Sequence, residues 1–455
     1  MRDLIFVGYV AAILLLAFKR PFIFTLIYAY IDICAPQRLS YFLLNSVPLS
    51  LIVFALAVLG FLAADDKKNV RLSPRWALLV ILLVYCGYTT TVAVEPVAAL
   101  EKWSWVWKAL VFAAFLPLTL TTKLRIEALI LTMVLCVSAL IVTGGIKTLA
   151  GGGGYGLLIL LIDDNSGLFE GSIISCVAIS VIPLILWLSN HGTIFKPDWR
   201  VRLYAGALVV SCLLIPIGTQ ARTGIVCIAI LGLLMLRFVR YRLLYVGGIA
   251  LLGLVAIPLL PGSFTERADT IKDYRQDESA YTRIAVWQWT WEFAKDHPFG
   301  GGFNSYLQNK IVYDIETKRD PSAAYEEFPP EDGIKQVVDE SRAFHSSYFE
   351  MLGEQGYPGL IIWLLIHFGG VWRMEILMRL YKKRARDEEA WVAPLATALQ
   401  NAQIIFLVGS LFVGIAFQPF VYMLVGLQIG LDTYLARRRS EAAWRPIKLM
   451  RQKAT

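Results

Sequence analysis

Apolar residues in this chain come in long runs separated by short basic clusters, and one long polar stretch interrupts that rhythm near the C-terminal third. The runs are Leu4–Phe18, Phe22–Cys34, Leu43–Ala64, Trp76–Val94, Trp105–Leu120, Ile126–Val142 and Leu168–Leu188. They continue with Leu203–Gly218, Gly224–Phe238, Leu243–Leu260, Ser347–Trp372, Trp391–Val413 and Pro419–Leu435. A run of about 20 apolar residues crosses hydrocarbon as a helix, because lipid offers backbone amides no other partner. The pattern predicts an all-α, polytopic membrane protein of 12–13 transmembrane helices, thirteen if the short first pair crosses twice and twelve if one of them is re-entrant. Composition agrees: 57% hydrophobic and 17% charged residues over 455 positions exclude an ordinary soluble domain. Leu4–Phe18 runs straight into Lys19-Arg20-Pro21 without a small-residue cleavage site, so it is expected to be a retained helix and not a cleaved signal.

Charge orients the bundle. Lys67, Lys68, Arg71 and Arg75 form one basic loop, Lys123 and Arg125 a second, Lys196, Arg200 and Arg202 a third, and Arg237, Arg240 and Arg242 a fourth. Six basic side chains follow between Arg373 and Arg386, and seven between Arg437 and Lys453. All fall on one side if that side is cytoplasmic, as the positive-inside rule expects. The implied organisation is an N-terminal bundle over 1–260, a large periplasmic loop over 261–345, further spans over 346–436 and a basic cytoplasmic tail over 437–455. Sixteen of the 35 acids lie in the large loop. The net charge of +8 is therefore a topological signal, and nucleic acid is not an expected partner. Cys34, Cys86, Cys136, Cys176, Cys212 and Cys227 all sit inside apolar runs without metal-ligand spacing and are expected to be small core residues. The Gly151–Gly154 run lacks the Lys-Ser/Thr ending of a phosphate-binding loop and is expected to be a connector.

The large loop has structure of its own. Tyr281 to Ala294 is expected to form an amphipathic helix with Ile284, Trp287 and Trp291 on one face, and three tryptophans in five residues suit the membrane interface. Asp296-His297-Pro298-Phe299-Gly300-Gly301-Gly302-Phe303 stops that helix with a turn. Residues 310–341, polar and rich in Pro, Asp and Glu, have the composition of a mobile lid or surface excursion. His345 then precedes Ser346 and Ser347, either of which suits the N-cap of the next span, where free backbone N–H groups favour an anion. Glu350 and Glu354 follow one turn apart and share a face.

The candidate chemistry lies in a few of these polar residues. Arg222 is the one charge between Arg202 and Arg237, at a hairpin tip Thr219-Gln220-Ala221-Arg222-Thr223-Gly224. Such an arginine either snorkels to headgroups or binds phosphate, and the bidentate guanidinium favours phosphate or pyrophosphate. Arg283 is the second candidate cation; a solvated helix face explains it equally well. A lone histidine before a helix is more often a structural hydrogen-bonder, but His345 beside two arginines and a glutamate-bearing helix is a candidate base for an attacking hydroxyl. Glu354 either orients it or caps the chain around Gly356. Asp164 and Asn165, in Asp163-Asp164-Asn165, are candidates for sugar hydroxyls, with an ordinary turn as the alternative.

The hairpin Thr219–Gly224, the Trp-rich helix ending in Asp296-His297-Pro298-Phe299-Gly300-Gly301-Gly302, and His345-Ser346-Ser347-Tyr348 through Glu354-Gln355-Gly356-Tyr357-Pro358-Gly359 together resemble the bacterial O-antigen ligase and polymerase family. Met1-Arg2-Asp3-Leu4, Lys19-Arg20-Pro21-Phe22 and Pro36-Gln37-Arg38-Leu39 resemble a narrower branch, the O-glycosylation ligases associated with the exosortase A system. The resemblance implies a metal-independent glycosyltransferase of the bacterial inner membrane, without cofactor, that acts on the periplasmic face. It would move a glycan from an undecaprenyl-pyrophosphate carrier to a hydroxyl of a lipid, polysaccharide or protein acceptor. By that resemblance Arg222 and Arg283 hold the pyrophosphate and His345 activates or positions the acceptor; Glu354 and Ser346, beside His345 in the sequence, are further candidates for substrate binding. Two alternatives stay open: a polysaccharide polymerase, which shares the donor chemistry, and a lipid-linked glycan transporter, which would place polar breaks at the midplane.

Overall fold

The computed structural model describes residues 2–36, 43–44, 47–65, 67, 72–150, 168, 170–237, 278–317, 333–384 and 387–443. Helices α1 (Arg2–Lys19), α2 (Phe22–Cys34), α3 (Leu49–Ala64), α4 (Pro74–Thr91), α5 (Pro96–Thr119) and α6 (Lys123–Ala150) lead into α7 (Gly171–His191), α8 (Trp199–Gly218) and α9 (Arg222–Leu236). After α10 (Glu278–Asp296) come a short 3-10 turn (Ser305–Gln308), strands β1 (Lys310–Thr317) and β2 (Gly333–Glu340), and helices α11 (Ser347–Arg384), α12 (Val392–Gly409) and α13 (Pro419–Ala443). Twelve of the thirteen expected spans are thus helices; the other, Leu243–Leu260, lies outside the described residues, as do Gly151–Gly154 and Asp163 to Asn165.

Six of the described helices, α6, α7, α8, α11, α12 and α13, are long and apolar enough to cross a membrane. Helix α2 has 13 residues. At 1.5 Å per residue it reaches only about 20 Å, short of a full crossing. It ends in Ala35 with a left-handed φ of 43° and is largely buried against its neighbours.

Helix α13 is the enclosed centre, buried almost continuously from Phe420 to Leu435. Between helices in lipid the attraction is close packing, since lipid tails are as apolar as leucine. The pair Gly426 and Gly430 supplies it: a methyl at Gly430 would come within 2.5 Å of Leu120, and one at Gly426 within 2.8 Å of Leu116, both on α5. All six cysteines are free and buried, as core residues.

Much of the basic end is tied down by ion pairs. Arg125 binds Asp65 at 2.6 and 2.7 Å, and Arg237 binds Glu375 at 2.6 and 2.9 Å. Arg75, expected in a loop, is drawn into the first turn of α4 at 7% exposure, where it donates to Gln428 at 2.8 Å. Arg373 donates to Asp432 at 2.9 Å. These residues lie at the ends of α4, α11 and α13 opposite to Thr91, Ser347 and Pro419, so the chain's polar loop and its basic clusters occupy opposite ends of the bundle.

The main irregularity sits in α11. Gly356 breaks the helix with φ 62° and ψ −168°. The break would strand backbone groups in the packed interior, and the triple-glycine turn after α10 meets them. Gly301 N–H donates to Gly353 C=O, Gly302 N–H to Glu354 C=O, each at 2.9 Å, and Tyr357 N–H to Pro298 C=O at 3.0 Å. Gly300 and Gly302 need left-handed φ values of 93° and 80° to bring their amides in.

Two expectations change. The apolar face Ile284–Trp287–Trp291 is not the packed face of α10: Thr282, Val286, Thr290 and Ala294 are buried, while Ile284 and Trp291 are 40% and 51% exposed. Small residues face inward because α10 lies close against α11. Trp287 stacks on Phe349 at 5.0 Å and so takes part in tertiary packing. The expected lid is, where described, an antiparallel ribbon pairing Lys310 with Glu340 through Thr317 with Gly333. Its polar composition hid the two-residue alternation of Ile311, Tyr313 and Ile315.

Gly300→Ala should destabilise the fold by about 2 kcal/mol or more, because a left-handed φ and a contact 2.5 Å from the Glu354 carbonyl oxygen coincide there. A drop of several degrees in the thermal midpoint of detergent-purified protein is expected; an unchanged midpoint would show that the turn does not secure the break.

Candidate active site

A cavity of about 610 Å³ opens at the polar end of the bundle. Its wall is assembled from six places in the sequence: Lys102 on α5, Glu170 at the start of α7, Arg283 on α10, Asn304 and Tyr306 in the turn after it, His345 with Glu350 and Glu354 around the start of α11, and the 412–418 loop before α13.

His345 is held by its neighbours. Phe344 before it is 3% exposed, packs with Val286 and Ile311, and accepts a hydrogen bond at its carbonyl from Trp287 Nε1 at 2.9 Å. Ser347 after it donates its amide to the Ser410 carbonyl at 2.8 Å and its hydroxyl to the Val413 carbonyl at 2.9 Å. Clamped on both sides, His345 takes a left-handed φ of 49°, a conformation that costs a non-glycine residue free energy and persists only where its surroundings impose it. The base of the ribbon adds a third restraint. Asn309 accepts from the Arg342 amide at 2.9 Å and donates to its carbonyl at 2.6 Å, which places Arg342 beside His345. Burial, and then the charges of Arg283 and Arg342, lower the imidazole pKa to about 4. The ring is neutral at physiological pH and has a lone pair to offer.

The cavity floor carries a group that hydropathy concealed. Lys102 Nζ lies 2.6 Å from Glu350 and 2.8 and 2.9 Å from the two oxygens of Glu354. The three side chains are 11%, 7% and 0% exposed, so their charges are out of water. The carboxylates are also bound from the backbone: Asn304 N–H donates to Glu354 at 2.9 Å and Ala416 N–H to Glu350 at 3.0 Å. Phe303 and Phe417 lie under the ammonium at 5.6 and 5.9 Å. One lysine thus ties α5, α11, the turn after α10 and the loop before α13. Scanning for apolar runs began this span at Trp105 and left Lys102 in a loop. The helix begins at Pro96 instead. The available signal was a lysine flanked by Trp103, Trp105 and Trp107.

Of the expected site residues, Arg283, His345 and Glu354 line the one cavity. Glu354 does not have its oxygens free to orient the histidine; Lys102 and Asn304 occupy them. Ser346 is 1% exposed and is absent from the cavity wall. Arg222 is exposed on the first turn of α9, at the same end but outside the wall. Its hairpin leans on α7 through Thr219, whose hydroxyl is 2.8 Å from that of Ser175, while Glu170 and Ser172 on the same stretch face the cavity. Asp164 and Asn165 lie outside the described residues.

Comparison with known families gives two matches. Residues 207–364 match the model described as O-antigen ligase, and residues 1–193 match a family of unknown function. No curated protein matches the chain. The O-antigen ligase match takes in Arg222, Arg283, His345, Glu350 and Glu354 and supports a ligase- or polymerase-type role in glycan processing. Lys102 falls in the other match.

Lys102→Met should leave two buried carboxylates uncompensated and cost about 3–5 kcal/mol, seen as a large fall in thermal midpoint. The triple variant Lys102→Met, Glu350→Gln, Glu354→Gln should recover much of it. Equal damage in both would show that the cluster does not hold the fold through its charges.

Proposed function

We propose that this chain is a glycan ligase of the bacterial inner membrane, with its cavity on the periplasmic side, that transfers a glycan from an undecaprenyl-pyrophosphate carrier to an acceptor hydroxyl. The observation that carries the proposal is the meeting of Arg283 with a neutral, conformationally held His345 in one cavity inside the segment that matches the O-antigen ligase model. The basic clusters at the opposite end support a cytoplasmic location for that end.

The division of labour follows from charge. In the reaction the acceptor oxygen attacks the anomeric carbon, the bond from that carbon to the pyrophosphate oxygen breaks, and the hydroxyl proton passes to the imidazole of His345. Negative charge grows on the pyrophosphate, where Arg283, joined by Arg222 from the neighbouring hairpin, offsets it through charge-assisted hydrogen bonds. Burial, aided by Arg283 and Arg342, keeps the imidazole unprotonated before the acceptor arrives. Lys102 offsets one of the two charges of Glu350 and Glu354 and so reduces their opposition to the donor's charge. No step of this scheme requires a metal or a nucleotide.

Transfer from a defined lipid-pyrophosphate glycan to a panel of acceptors tests the proposal. Arg283→Ala, Arg222→Ala and His345→Ala should each lower turnover by about a hundredfold or more, with insertion and expression unchanged. Near-normal transfer in all three would overturn it.

A pH profile tests the role of Arg342. The folded-state pKa of His345, about 4, lies below the ordinary 6.5, so as pH falls from 6.5 the unfolded chain gains a proton that the folded chain refuses until about 4. His345 therefore costs stability across that window and nothing above it. The neutral imidazole likewise persists down to about 4. The acid limb of activity should lie near pH 4 and shift upward only in part in Arg342→Gln, since burial is the larger cause; a limb near 6.5 in the unaltered protein would remove His345 from the base role.

A further inference from the structure

The bundle has a second polar hollow, at the end away from the cavity described above. It encloses about 570 Å³ between α7, α9, α11 and α12. Two features of its lining point to a ligand. The first is Asn401 on α12, which is 2% exposed, faces this hollow, and has no hydrogen-bond partner among the described residues. Its amide opens on the hollow, so a ligand oxygen seated there supplies the partner the protein does not. The second is the charge at the mouth. Lys382 lines it beside the imidazole of His191, and Lys123 stands nearby with its ammonium 5.5 Å from the ring of Trp391, which itself packs edge-on against Trp187 in the wall.

None of the described lining residues is a carboxylate. Of the acids nearby, Glu388 pairs with Arg438 at 3.3 Å, and Glu389 faces the tyrosines at the ends of α11 and α13. Past this cationic rim the wall turns apolar, with Leu186, Met235 and Met378. A cationic, hydrogen-bonding rim over an apolar slot between transmembrane helices matches one amphipathic chemistry: a phosphate headgroup carrying an acyl chain.

We propose that this hollow is a binding site for an anionic phospholipid of the surrounding bilayer. The phosphate lies against Lys382 and His191, Asn401 donates to a headgroup or ester oxygen, and the acyl chain follows Met235 and Met378. The site stands apart from the transfer cavity and does not depend on the assignment of that cavity's chemistry. Its location, where α7, α9, α11 and α12 converge, makes the lipid a tie among four helices that also build the opposite end.

Thermal melts of the full chain in neutral detergent, with phosphatidylglycerol, phosphatidylcholine or inorganic phosphate added, provide the test. Phosphatidylglycerol should raise the midpoint saturably, and the other two should not. Lys382 is exposed, so Lys382→Glu should fold normally and weaken the apparent affinity at least about fivefold. Asn401→Leu should weaken it as well, without lowering the lipid-free midpoint. Equal shifts with phosphatidylcholine, shifts with inorganic phosphate alone, or an undiminished response in both variants would overturn the proposal.

Discussion

Buried backbone polar groups have no water to fall back on, and this protein departs from regular helix at the buried Gly356 in spite of that constraint. The break is sustainable because a glycine turn some fifty residues earlier in the chain donates Gly301 and Gly302 amides to the Gly353 and Glu354 carbonyls. Much of the cavity depends on this exchange. It fixes α10 against α11 and sets Asn304 where its amide reaches Glu354. It also holds the first turns of α11 so that Glu350 and Glu354 both meet Lys102. A continuous helix would need none of these partners and would gather none of these groups.

The charges of the site divide into two kinds. Lys102 bridges Glu350 and Glu354, offsets one of their two charges, and the three act as a structural clamp. Arg283, Arg342 and His345 are arranged the other way: burial and then the two cations hold the imidazole neutral, with Arg342 itself paired to Asp339. Removing a member of the first group should therefore be felt in stability, and removing a member of the second in chemistry. The same distinction applies at the far end, where Arg75, Arg373 and Asp432 form a tie, while His191 and Lys382 face an open hollow.

The periodic polar features of the large loop misled in an instructive way. Trp287 and Trp291 lie on the face of α10 that amphipathic spacing selects, yet the buried face is built from threonine, valine and alanine. A helix pressed close to its neighbour buries small residues, and its large aromatics reach around the side, as Trp287 does toward Phe349. The ribbon after it was concealed by composition, because its packed residue, Ile311, is one among many polar residues in that stretch of sequence.

The sequence alone determined the membrane class, twelve helix positions, the segregation of basic residues and the candidacy of Arg283, His345 and Glu354, because these depend on local apolar length and on rare polar residues standing out against it. Tertiary structure decided the rest. Lys102 reads as the end of a hydrophobic run until two glutamates 248 and 252 residues away cancel its charge. Arg222 reads as a partner of His345, yet the hairpin that carries it seats on α7, outside the cavity wall. Hydropathy assigns each charge a cost by itself, and burial depends on which charge the fold sets opposite.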